Sequence, residues 1–128
     1  MERHDMRAPL ARASGFGPAK DGVHHWWMQR VSAVALVPLT MWFLAAIVAK
    51  TGADYTAFVA WIRSPITDIL MGLLLIALFY HAALGLQVVV EDYVHSGAKF
   101  AAVIAVRLAC FTLGAAGILA TLRIAAGS

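Results

Sequence analysis

Three long apolar runs decide what this chain can fold into. Val31 to Ala49 contains no charged residue, nor does Ile69 to Val90, and Phe100 to Leu122 carries one, Arg107. Lipid offers no hydrogen-bond partner to a bare peptide group, so segments of this length satisfy their own backbone as helices. At about 1.5 Å per residue, some twenty residues cross a hydrocarbon core of about 30 Å. The expected fold is all-α, an integral membrane bundle of three transmembrane helices with spans at about 31–49, 66–90 and 100–122. Composition agrees: with 62% hydrophobic and 13% charged residues over 128 positions, a soluble domain is excluded.

Residues 1–22 form a polar arm, and residues 23–128 form the membrane part. The arm holds Arg3, Arg7, Arg12 and Lys20 among small residues, and no apolar run follows those charges as a signal peptide requires. Trp26 and Trp27 suit the headgroup region before the first span. Pro38 should bend that span locally, and Lys50, Thr51 and Gly52 should end it. The stretch through Asp54, Tyr55 and Trp61 is too short to cross and is expected along the interface. Pro65 is expected to open the second span with Ser64 as its cap.

The net charge of +3 does not point to nucleic acid, because the basic residues sit beside apolar runs. With the amino terminus in the cytoplasm, Arg3, Arg7, Arg12, Lys20, Arg30 and Lys99 lie inside, against Lys50, Arg63 and Arg123 outside. The positive-inside bias favours that orientation. Arg107 must snorkel or pair with a negative group in an assembly. Ala105, Ala109, Gly114 and Gly117 offer small surfaces for close helix contact. Cys110, the single cysteine, reads as a packing residue.

An ionisable residue within a span is a functional candidate by default. His81 is that residue, with Ala77 and Gly85 one turn to either side leaving a notch for a flat ligand. Asp92, eleven positions on, falls about 20° from His81 on a helix and about 16 Å further along it. A buried imidazole needs partners for its ring nitrogens: a metal, a haem iron, or a hydrogen bond to a neighbouring helix. If a haem, its second axial ligand must come from another subunit. No Cys-x-x-Cys pair, phosphate loop, His-Glu-x-x-His or nucleophile motif is present, so independent catalysis is not expected.

The pattern Gly22-Val23-His24, then Arg30, then His81-Ala82-Ala83-Leu84-Gly85, then Asp92-Tyr93-Val94 resembles the small hydrophobic membrane anchor of bacterial succinate dehydrogenase, in its alphaproteobacterial form. The resemblance covers the chain from about residue 15. It implies half of a heterodimeric anchor in the bacterial inner membrane, joined to a second anchor subunit, an iron–sulfur subunit and a flavoprotein subunit. It implies haem b and ubiquinone, with His81 as one axial iron ligand and the partner anchor supplying the other. His24 and Arg30 would hold the haem propionates, and Asp92 and Tyr93 would belong to the quinone site. The turn after Tyr93 is longer than in the family, and Arg107 has no counterpart there. Two alternatives stand beside this: a fumarate reductase anchor running the same parts in reverse, and a non-redox packing or proton-relay protein using His81 and Asp92.

Overall fold

The computed structural model describes residues 17–128, with side chains from Gly22 onward, so Arg3, Arg7 and Arg12 lie outside the described residues. The described residues are all-helical: α1 (Gly17–Ala49), α2 (Tyr55–Ile62), α3 (Pro65–Tyr93) and α4 (Ala98–Ala126). Helices α1, α3 and α4 are each long and apolar enough to cross a membrane. All three outrun the uncharged stretches that announced them. Helix α1 begins before the first tryptophan and runs unbroken through Pro38, and α3 keeps Glu91, Asp92 and Tyr93 in its last turn, where a polar connection was expected. Charge pattern marks where hydrocarbon ends, whereas a helix continues through the headgroups.

The expected stops are present. Lys50, Thr51 and Gly52 form the turn after α1, with Gly52 at φ +85°, a conformation open to glycine without a Cβ clash. Asp54 caps α2, its carboxylate accepting the Ala57 N–H at 2.8 Å. Pro65 takes the first turn of α3, and Ser64 sits at the cap position in extended backbone, although its hydroxyl makes no capping hydrogen bond. Trp61 of α2 lies 6.3 Å from Trp42 of α1, centroid to centroid, which folds the short helix back on the first span. At the same end of the molecule Arg63 Nε donates to the Ile124 carbonyl at 3.0 Å. A cation there also meets the negative end of the α4 dipole.

Helix α3 is central, with α1 packed on one side and α4 on the other. The α3–α4 seam depends on missing side chains: a Cβ on Gly114 would lie 3.3 Å from Phe79 Cβ, and one on Gly117 would lie 3.3 Å from the Leu75 methyls. Cys110 is buried, as a packing residue should be, whereas Ala105 and Ala109 are exposed and take no part in a tight seam within the chain. Gly114→Val is expected to cost about 1–3 kcal/mol through overpacking. Thermal unfolding of the detergent-extracted protein should start earlier, with Gly114→Ala in between; an unchanged transition would place the seam elsewhere.

Between 6% and 11% of the most apolar stretch of each span is buried within the chain. The core is therefore a seam rather than a centre, and most of the apolar surface faces outward.

Candidate functional site

His81 sits near the middle of α3, half-buried and turned toward α1. Its Nδ1 is 3.0 Å from Ser32 Oγ. Ser32 is 7% exposed, so this contact lies away from solvent, and its Oγ also donates to the Gln29 carbonyl at 2.9 Å. Among the described residues Nε2 makes no hydrogen bond. One ring nitrogen therefore has a neighbouring helix as its partner, and the other has none.

The notch expected beside Gly85 is not open. A Cβ on Gly85 would lie 3.5 Å from Gln29 Nε2, at ordinary contact distance, so the Gln29 side chain of α1 fills the space beside it. Gln29 Oε1 is buried without a partner, as is His25 Nε2 one turn earlier on the same helix. Two consecutive levels, Gln29 on Gly85 and Ser32 on His81, thus dock α1 against α3.

The other candidates lie toward the end of the bundle where α1 begins and α3 ends. His24, His25, Tyr80, Gln87, Glu91 and Arg107 line a cleft of about 500 Å³ between the three long helices. Arg107 donates through Nη2 at 2.6 Å and Nε at 3.1 Å to Gln87 Oε1, and Gln87 Nε2 donates to Glu91 Oε1 at 2.8 Å. The neutral amide orients itself between cation and carboxylate, which gives Arg107 a partner inside its own chain. A contiguous apolar groove of about 410 Å³ runs from Arg107 along Phe79 and Cys110 to Gly114.

Arg30 is exposed and lies over the Trp26 ring, 5.1 Å from its centroid, outside the cleft that His24 lines. The two residues share one continuous helix, and six positions put them about 120° apart. A common ligand would therefore be gripped from two directions. Asp92 and Tyr93 are both exposed, Tyr93 at 81%, and no hydrogen bond joins them among the described residues. No hydrogen bond joins His81 to Asp92 among the described residues either. Two polar side chains with no evident sequence signal, Ser32 and Gln87, contact the histidine and the arginine.

No group of three or more His, Cys, Asp or Glu is positioned to hold a metal ion among the described residues. What the chain does present is one imidazole within a span, suited to a shared centre. The sequence model for the succinate dehydrogenase/fumarate reductase transmembrane subunit matches residues 4–114. The chain belongs to this family. The succinate dehydrogenase hydrophobic membrane anchor subunit of Rickettsia bellii is 38% identical over 91 residues, covering 71% of this chain and 73% of that one. The protein of the same name from Paracoccus denitrificans is 29% identical over 120 residues, covering 94% and 93%. The succinate dehydrogenase membrane anchor subunit of Reclinomonas americana is 30% identical over 79 residues, covering 59% and 66%. No solved structure matches the chain significantly. The family match takes in His24, Arg30, His81, Asp92, Tyr93 and Arg107, and it stops within α4.

Proposed function

We propose that the chain is the membrane anchor of a succinate:ubiquinone oxidoreductase, respiratory complex II, in the bacterial inner membrane with its amino terminus in the cytoplasm. It works there with a second anchor, an iron–sulfur subunit and a flavoprotein subunit. The observation that carries the reading is His81: an imidazole in mid-span, tied to Ser32 through Nδ1 and without a protein partner at Nε2. Such a ring fits haem b: His81 Nε2 would hold the iron together with a histidine of the partner anchor, and the group would supply a one-electron carrier.

This chain's own residues then have separate tasks. His81 would hold the iron, with Ser32 against its other ring nitrogen. Arg30 and His24 grip propionates at the membrane surface, where a guanidinium offers a planar two-pronged contact to a carboxylate. The stacking of Arg30 on Trp26 contributes about 0.5–1 kcal/mol at an exposed site, little enough to be exchanged for an ion pair. Tyr93, beside Asp92 on the cytoplasmic turn of α3, donates its phenolic proton toward a quinone carbonyl as that oxygen gains charge. The relatives' names support succinate oxidation rather than fumarate reduction as the working direction.

The test is purification through a tag on this chain. A flavoprotein and an iron–sulfur protein should co-purify from solubilised membranes, and dithionite-reduced minus oxidised spectra should show a b-type haem. Absence of both would refute the reading. Within that complex Arg30→Leu is expected to lower haem content more than His24→Ala, because the guanidinium is charged at any working pH. Equal and negligible losses would return both residues to a wet surface role.

A further inference from the structure

We infer that Ser32 is the positioning residue that fixes the tautomer and ring orientation of His81. The inference rests on the proposed role of His81 as a haem ligand.

The hydroxyl of Ser32 has one hydrogen and two neighbours. The Gln29 carbonyl at 2.9 Å can only accept, so the hydrogen goes there. The remaining contact, 3.0 Å to His81 Nδ1, is then a hydrogen bond only if the ring donates. Nδ1 carries the proton, and Nε2 is left with its lone pair outward. At 7% exposure Ser32 leaves water little access to take its place. The next level of the α1–α3 contact keeps the hydroxyl within reach, because Gln29, whose carbonyl holds the hydrogen, also lays its side chain over Gly85.

A partner on the far nitrogen of a ligating histidine sets ring orientation and raises the donor strength of the ligating nitrogen. A stronger donor favours ferric over ferrous iron, so the serine holds the haem potential below the value of an unsupported imidazole. A neutral hydroxyl does this more weakly than a carboxylate.

The purified complex carrying Ser32→Ala is expected to retain haem, to show an upward shift of the haem midpoint potential, and to show an altered low-spin electron paramagnetic resonance signal as the ring plane loosens. Ser32→Thr keeps the hydroxyl, and its Oγ1 can make the same backbone bond, so it should restore both readouts. Ser32→Cys preserves volume with a weaker acceptor and should shift the potential the same way by less, which covers poor assembly of the alanine variant. Wild-type potential and signal in Ser32→Ala, wild-type potential in Ser32→Cys, or a threonine variant that behaves like alanine, would overturn the assignment. His81→Leu separates the two levels: haem retained there refutes the ligand itself, whereas haem lost there with an unmoved potential in Ser32→Ala refutes only the serine.

Discussion

Membranes carrying His81→Leu in place of the wild-type chain are expected to yield an assembled complex without its low-spin b-type spectrum. Leucine has a similar bulk and suits an apolar span, so insertion and the α1–α3 contact should survive. Ser32 would lose the donor to its oxygen but keep its own bond to the Gln29 carbonyl, so no hydroxyl hydrogen is stranded. What disappears is the imidazole nitrogen, Nε2, that makes no hydrogen bond among the described residues. Deleting an outer-shell partner of a metal ligand typically costs about 10–100-fold in metal affinity. Loss of the ligand itself should cost more, and haem per flavin should fall below detection. An unchanged spectrum in an assembled complex would exclude His81 as a ligand.

Tyr93→Phe is expected to separate two activities that normally run together. The ring stays and the hydroxyl goes, so whatever the aromatic body does at the end of α3 is preserved, and at 81% exposure no buried hydrogen bond within the chain is broken. Removing one donor to an oxygen that gains charge in the transition state costs about 10²–10³-fold in rate. Succinate-to-ubiquinone turnover should drop by roughly a hundredfold on that scale. Haem content, and succinate oxidation with a soluble dye that bypasses the membrane, should stay near wild type. The competing view is that Tyr93 is an interfacial belt residue, common at helix ends. It predicts full quinone reduction in the phenylalanine variant, and that result would move the donor to another chain of the complex.

The helices were legible because lipid leaves the backbone no choice, and because Gly52, Asp54 and Pro65 punctuate the chain. Helix ends were less so: residues 17–22 and Glu91 to Tyr93 are polar yet helical, and polarity alone does not distinguish a headgroup-level turn of helix from a loop. Gly85 was legible as a place of close approach but not as to what approaches; the Gln29 side chain does. Ser32 was silent for a physical reason. A hydroxyl in a span satisfies itself on the carbonyl three or four residues back and so needs no tertiary partner. Its second contact, 49 positions away in sequence, exists only once α1 and α3 are side by side. The Arg107–Gln87–Glu91 chain is hidden in the same way, since its first link joins residues 20 positions apart on different helices.

The scarcity of buried residues bears on how such a chain changes over time. The relative placement of the three spans depends on few close approaches: Ser32 with His81, Gln29 with Gly85, Phe79 with Gly114 and Leu75 with Gly117. Outward positions that meet hydrocarbon tails accept Leu, Ile, Val or Phe with little preference. Mutation can therefore move through lipid-facing positions with little effect on stability, while the seam at Gly114 and Gly117 leaves little room for added bulk. A comparison of such chains weighted toward the contact points should therefore trace a lineage further back than one that counts every position alike.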